Sequence, residues 1–301
     1  MKALVIINPL AGKGRGKNHL FPIVNELCKQ GYSVTSFITQ SKEDATHLVS
    51  KTGDQYSIIV CCGGDGTFQE VVSGVLTLKN RPAIGYIPCG TTNDLSKTLH
   101  LTHQSAKLLD GVQFPDNYID LDIGHFNEQN FAYIASFGSF SSVSYETPQS
   151  AKSMLGHTAY VINGISQVPK IHPIHMRWRC DGLNGEGEYF FGGVTNSLSI
   201  GGIYKLPNSV VSLNDGMFEL ILVQSQNTNF DILPKLLTKQ PLNESDKHFL
   251  FLKGREFVFE FDEAIPFTLD GEFGGVHKNV RISCENNAIR LLTAHSSKYN
   301  K

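Results

Sequence analysis

The chain has 301 residues, 41% of them hydrophobic and 18% charged, and a formal net charge of −2. That charge excludes a nucleic-acid binder driven by electrostatics, and no apolar run reaches the ~18 residues needed to span a bilayer. Six cysteines without CxxC spacing argue for reduced core thiols in a cytoplasmic protein rather than a disulfide framework.

Residues 3–7 form an unbroken apolar run, the pattern of a strand buried on both faces. It stops at Asn8-Pro9-Leu10-Ala11-Gly12 and a basic stretch, Lys13-Gly14-Arg15-Gly16-Lys17. This stretch has neither P-loop nor dinucleotide-fingerprint spacing, so it reads equally as a phosphate loop or a solvated one. Leu20, Ile23, Val24, Leu27 and Cys28 mark a helix stopped by Gly31. A second strand is predicted over 33–39, a helix over 42–51, and a third strand over 56–62. Then comes Gly63-Gly64-Asp65-Gly66-Thr67-Phe68-Gln69-Glu70, opening a helix that runs to about residue 78. Strand, glycine turn and helix present bare backbone N–H groups to a ligand. An acid inside an anion-binding turn makes sense when a hard cation such as Mg²⁺ lies between it and phosphates. A fourth strand, 83–88, runs into Cys89-Gly90-Thr91-Thr92-Asn93-Asp94, whose polar residues also serve as helix N-caps.

Strands alternating with helices at this spacing imply a parallel, doubly wound α/β domain. Its ligands bind at the carboxyl ends of the strands, and all three polar glycine turns fall on that edge. After residue 118 the texture changes to short β-type runs at 118–126, 130–136, 174–180, 189–199, 217–223, 256–261, 266–269 and 279–283. Turns such as Asn214-Asp215-Gly216 and Asp270-Gly271-Glu272 separate them, which suggests an antiparallel β-sandwich. Helical segments are expected at 150–168 and, as a helix or loop insertion, at 233–237 and 239–249. The apolar tail 288–293 reads as a strand packing back. The predicted division is 1–120 with 286–301 for a nucleotide-binding α/β domain, and 121–285 for a β-sandwich domain.

Asn8-Pro9-x-Ala11-Gly12, Gly63-Gly64-Asp65-Gly66-Thr67 and Pro88-x-Gly90-Thr91-Thr92-Asn93-Asp94 occur in order, and with them the chain resembles the diacylglycerol kinase catalytic-domain family. Within that family it looks like the soluble bacterial lipid kinases related to sphingosine and ceramide kinases. The resemblance implies a phosphofructokinase-like α/β domain, a β-sandwich domain, and ATP in the cleft between them. It implies transfer of the γ-phosphate of Mg²⁺–ATP to the hydroxyl of a lipid such as diacylglycerol, in phospholipid metabolism at the membrane surface. Asn8 to Gly12, Thr39 and Thr91 would contact the nucleotide, and Gly64, Asp65, Gly66, Thr67, Phe68, Gln69 and Glu70 would cradle its phosphates. Asp65, with Asp122 of Asp122-Ile123-Gly124, would hold Mg²⁺. Glu272 of Asp270-Gly271-Glu272 would be the general base. A structural Mg²⁺ would use Asp215 and the backbone oxygens of Ser212 and Met217. One residue departs from the pattern, because Gln69 stands where the family carries asparagine.

Two other readings follow from the same turns. An NAD kinase shares Gly-Gly-Asp-Gly-Thr, although the other two motifs favour the lipid kinase. A non-catalytic nucleotide- or lipid-binding regulator of the same fold is the second, invited by Gln69. The eleven histidines show no HxxxH or HExxH spacing, which argues against a zinc site. His172 and His175, near Lys170, Arg177 and Arg179, form either a solvated strand face or an approach to anionic lipid. Phe137, Phe140, Tyr145, Met154, Leu155 and Tyr160 are equally core or acyl-chain lining. The oligomeric state is open, a homodimer among the options.

Overall fold

The structure, a computed structural model, describes residues 1–14, 16–90, 93, 95–96, 99, 101, 104–138, 172–197, 199–200, 204–205, 212–225 and 249–293. The chain divides into two compact units, Met1–Asp122 with Asn287–Lys301, and Ile123–Asn286.

In the first unit, β1 (Lys2–Ile7), β2 (Ser33–Ile38), β3 (Ile58–Gly63) and β4 (Ala83–Pro88) are parallel, in the order β4-β3-β1-β2. Leu291 and Leu292 of the returning chain add a parallel pairing on the far side of β4. The helices are α1 (Ala11–Gly14), α2 (Leu20–Lys29), α3 (Asp44–Thr52), α4 (Asp65–Leu76) and α5 (Ser105–Leu109). They cover both sheet faces, which is why β1, β3 and β4 are apolar at successive positions. Ala3, Val5, Ile7, Ile58, Val60 and Cys62 pack with Ile23 and Leu27 of α2 and Leu108 and Leu109 of α5. On the opposite face the Tyr86 ring lies 4.7 Å from that of Phe68 in α4. Helix α4 in turn packs on α3 so closely that a Cβ at Gly74 would fall 2.7 Å from Val49 Cβ. Edge strand β2 is half-exposed, as one-sided pairing allows.

The second unit is antiparallel. Strand β5 (Tyr118–Phe126) leads into it and pairs with β6 (Gln129–Phe131). Then come β7 (Ile134–Gly138), β8 (Ile174–Cys180) and β9 (Leu183–Thr195), the two-residue strands β10 (Ser199–Ile200) and β11 (Tyr204–Lys205), β12 (Phe218–Gln224) and β13 (Phe249–Gly254). The long strands β14 (Glu256–Leu269) and β15 (Glu272–Leu292) close the series. Strands β9 and β14 each pair with β8 along one stretch and with β7 along another. The resulting circuit surrounds a core rich in phenylalanine, including Phe126, Phe131, Phe137, Phe218, Phe257 and Phe267. Phe137 therefore belongs to the core.

Several elements differ from the sequence expectation. Strand β14 is continuous where two runs were predicted, because register shifts between Glu260 and Ile265 and between Pro266 and Thr268 keep Pro266 in the ladder. Strand β9 starts at Leu183 rather than at 189. A Cβ at its Gly185 would meet the Trp178 ring at 2.5 Å, so glycine makes room for the indole. Strand β13 occupies 249–254, where no strand was expected. The segments 150–168, 233–237 and 239–248 lie outside the described residues, as do Phe140, Tyr145, Met154, Leu155, Tyr160 and Lys170. Among the described residues no helix is long and apolar enough to cross a membrane.

Candidate functional site

The order β4-β3-β1-β2 reverses direction between β1 and β3, and α/β sheets bind ligands outside the carboxyl ends of the strands at such a point. The loops leaving β1, β3 and β4 meet there. Asn8 donates its backbone N–H to Cys62 O at 2.9 Å and its Nδ2 to Thr67 Oγ1 at 3.0 Å. Its Oδ1 accepts the Leu10 N–H at 3.0 Å, which folds the loop back on itself. One asparagine thus ties the first loop to the first turn of α4. The second and third loops approach closely at two glycines, since a Cβ at Gly90 would fall 2.6 Å from Gly64 Cα. Cys89 N–H donates to Gly63 O at 2.7 Å alongside. The buried Tyr86 hydroxyl lies 3.4 Å from both Asp65 Oδ1 and Asn93 Oδ1. Asn93, at φ 50°, donates Nδ2 to Gly90 O at 2.8 Å. Burial first, and then the Asp65 charge, push the Tyr86 hydroxyl well above its usual pKa, so it stays a neutral donor.

Gly64 is the N-cap of α4, and a glycine brings no side chain to cap that helix. Asp65 is the first helical residue and is half-buried. The position offers helix N–H groups, the dipole and one carboxylate, a donor set that fits phosphate bridged to the acid by a hard cation. Gly66 is exposed, with open space where a Cβ would be. Leu10 is 82% exposed, Ala11 is buried, and Gly12 holds φ 58°. Pro9 and Gln69 are half-buried. Three residues assigned to the nucleotide spend their groups elsewhere. Phe68 is buried on Tyr86 and gives its N–H to Gly64 O. The Glu70 carboxylate accepts the N–H groups of Glu43 and Ala45 at 3.0 and 3.3 Å, capping α3. Thr39 directs both N–H and Oγ1 to Ile7 O, at 3.0 and 3.4 Å. Thr91 lies outside the described residues. Asp122 is fully buried, and its Oδ1 accepts the Asn287 N–H at 2.7 Å.

In the second unit, Glu272 is exposed at the start of β15, after the turn Asp270-Gly271. Both turn residues have positive φ, 50° and 83°, as a two-residue hairpin turn of this hand requires. Asp270 is buried, and its carboxylate accepts the N–H groups of Ala132, Tyr133 and Ile134 at 2.6, 2.9 and 3.0 Å. Burial raises its pKa to about 6 against the pull of those three donors. Asp215 pairs with the Lys253 ammonium at 2.7 Å and accepts the Met217 N–H at 3.1 Å. The same ammonium lies 3.2 Å from Oε1 of buried Glu219, whose pKa burial lifts to about 7 although Lys253 opposes the shift. Ser212 Oγ reaches Asn214 Oδ1 at 3.4 Å. The Asp215 charge is already matched, so the turn fits an added Mg²⁺ only when the lysine gives way. Arg177, Arg179 and His175 are matched across the sheet by Glu260 and Asp262, the pattern of a solvated strand face.

A profile of the diacylglycerol kinase catalytic domain matches residues 2–123. The chain is 33% identical over 282 residues to the diacylglycerol kinase of Bacillus subtilis (strain 168), covering 91% of each protein. This chain belongs to the diacylglycerol kinase family. The diacylglycerol kinase of Staphylococcus aureus (strain MRSA252) is 34% identical over 279 residues, 91% of this chain and 87% of that one. The crystal structure of a diacylglycerol kinase from Bacillus anthracis str. Sterne shares the fold, with TM-score 0.75, 23% identity, and 97% and 96% of the two chains covered. A second structure from that organism superposes with TM-score 0.81 at 25% identity, covering 97% and 95%.

Three residues that shape these loops and turns, one in the first unit and two in the second, escape motif reading. Tyr86 sits in an apolar strand, but a buried tyrosine hydroxyl needs a partner, and that signal was available. Asp270 reads only as part of a turn, because nothing in its neighbourhood marks the three N–H groups of residues 132–134. Lys253, 38 residues beyond Asp215, gives no sequence sign of occupying that turn.

Proposed function

We propose that this chain is an ATP-dependent lipid kinase. It transfers the γ-phosphate of ATP to the hydroxyl of a lipid such as diacylglycerol, in phospholipid metabolism. The observation that carries the reading is the meeting of three glycine loops around a helix N-terminus whose N-cap is Gly64 and whose first residue is Asp65. The finer assignments rest on the family resemblance. In them the first unit is phosphofructokinase-like and binds the nucleotide, and the second is a β-sandwich that binds the acceptor. Contact with lipid is peripheral, from the cytoplasmic side.

Phosphoryl transfer depends mainly on position and on neutralising charge. The backbone N–H groups at the start of α4, Gly64–Thr67, bind the phosphates, with the Asn8–Gly12 loop and Thr91 beside them as nucleotide contacts. Phe68, Glu70 and Thr39 act from behind, by fixing α4, α3 and the end of β2. Asp65 would hold Mg²⁺, and the resemblance makes Asp122, buried and bonded to the Asn287 N–H, the second acid; when bound, that ion would supply the positive charge the phosphates need. Glu272 accepts the proton of the attacking hydroxyl, and ADP leaves. A structural Mg²⁺ at Asp215 and the oxygens of Ser212 and Met217 requires Lys253 to release the carboxylate.

Incubation with labelled ATP and Mg²⁺ against diacylglycerol, phosphatidylglycerol, sphingosine and NAD tests the reading. Label on diacylglycerol is expected. Label on NAD alone, or ATP binding without transfer to any acceptor, overturns it.

A further inference from the structure

The two neighbouring cysteines of β3 face opposite sides of the sheet, because side chains alternate along a strand. Cys62 shares its side with Cys89, and their Sγ atoms lie 3.2 Å apart. His19 closes the 3-10 turn Gly16–His19 that follows the first loop. One ring nitrogen of His19 and the two sulfurs lie within 4.8 Å of one another. Gly16 O stands 3.7 Å from Cys62 Sγ. Both cysteines are buried and the histidine is half-buried, so the cluster is shielded yet reachable from the histidine side.

We propose that His19, Cys62 and Cys89 form a binding site for one thiophilic cation, Zn²⁺ in the first instance. Two thiolates and an imidazole are the donor set that zinc and Cu⁺ select over Mg²⁺. The geometry needs little adjustment. On a tetrahedral zinc, sulfurs bound at about 2.3 Å stand about 3.8 Å apart, and a sulfur and a ring nitrogen about 3.6 Å. The Sγ atoms would open by about half an ångström and the imidazole would draw in by at most about one. The protein supplies three ligands, which leaves the fourth position to water or to the neighbouring Gly16 carbonyl. Each thiol releases its proton to solvent as the cation enters.

The three ligands come from the three chain segments that build the phosphate site. Cys62 immediately precedes Gly63-Gly64-Asp65, Cys89 immediately precedes Gly90, and His19 ends the segment that begins at Asn8. A bound cation therefore ties the first loop to the carboxyl ends of β3 and β4 from the core side. It would hold these segments whether or not the chain is a kinase, and its test does not use turnover.

The test takes the full chain, reduced and metal-free, and titrates it with Zn²⁺ against a chromophoric chelator, and with Co²⁺ by absorbance. Expected are one equivalent of tightly bound zinc, a thiolate-to-cobalt charge-transfer band, and a higher Tm with zinc. H19A and C89S should each weaken zinc binding by at least about 100-fold. The double variant C28S/C284S, which removes the cysteines exposed or half-exposed at the surface, should bind like the parent. His19 is half-buried, so H19A keeps the test decisive even where C89S folds poorly. Absence of zinc uptake by the reduced chain overturns the site, as does uptake that survives H19A or disappears in C28S/C284S.

Discussion

Asp65-Gly66 and Asp270-Gly271 are the same two letters in opposite roles. At the first, the glycines are the packed residues and the acid is only half-buried. Gly64, the N-cap of α4, lies against Gly90, and the Asp65 side chain reaches the Tyr86 hydroxyl at 3.4 Å. At the second, the acid is the packed residue. Asp270 is enclosed by three backbone N–H groups, and the group left outside is Glu272, two residues on. An acid–glycine pair thus announces a turn and says nothing of which residue works. Burial decides that, and burial depends on segments far away in sequence.

The contrast breaks most sharply in turnover. D65N and E272Q should each lower kcat by about 10²–10⁴-fold while moving stability by less than about 1 kcal/mol, since neither carboxylate is buried. Steady-state transfer of labelled phosphate, paired with urea unfolding, reads both quantities. A rate within about threefold of the parent for either variant removes that residue from the chemistry. D270A should do the reverse. It leaves three buried N–H groups without an acceptor, at about 1–3 kcal/mol each, so unfolding free energy should drop by several kcal/mol. A D270A protein as stable as the parent would show that water replaces the carboxylate and that the turn is not built around it.

A third acid–glycine turn, Asp215-Gly216, lies between these extremes and has a pH signature. Burial lifts the neighbouring Glu219 from its ordinary value of 4.5 to about 7. The folded protein therefore keeps a proton on Glu219 at pH values where the unfolded chain has lost it. Stability from this group is fully present below about pH 4.5, and is lost as pH rises through about 7. The swing is on the order of 3 kcal/mol. Urea midpoints measured at pH 5, 6, 7 and 8 should fall with pH in the parent and fall less in E219Q. Parallel lines for the two proteins would mean that Lys253 keeps Glu219 ionised throughout.

The parallel unit was legible because its central strands are covered on both faces and read as unbroken apolar runs. Strand β4 occupies 83–88 and β1 lies within one residue of its predicted bounds. The convergence of the glycine loops was legible too, since strand order alone puts them on one edge. In the second unit, β5 and β8 occupy their predicted residues, but β9, β13 and β14 do not follow the pattern. There the decisive contacts are Trp178 over Gly185 and the register shifts around Pro266, and both depend on partners that local composition does not name. The same reason hid Asp270, whose donors stand more than 130 residues away in the chain.

Tyr86 offers the finest test of the open turn. Its hydroxyl lies 3.4 Å from side-chain oxygens of two loops at once, the Asp65 carboxylate and the Asn93 amide, and both contacts are long for a hydroxyl bond. Y86F keeps the ring against Phe68 and removes only that donor. A shared, stretched hydrogen bond to a carboxylate is worth about 1 kcal/mol, so the expected change is a several-fold rise in KM for ATP. Tm should stay nearly constant, because the ring carries the packing. A variant with unchanged KM would show that Asn93 and Gly90 position the third loop without the tyrosine. A variant with normal KM but a sharply lower Tm would make the hydroxyl a core contact, on the side of Asp270 in the contrast rather than that of Asp65.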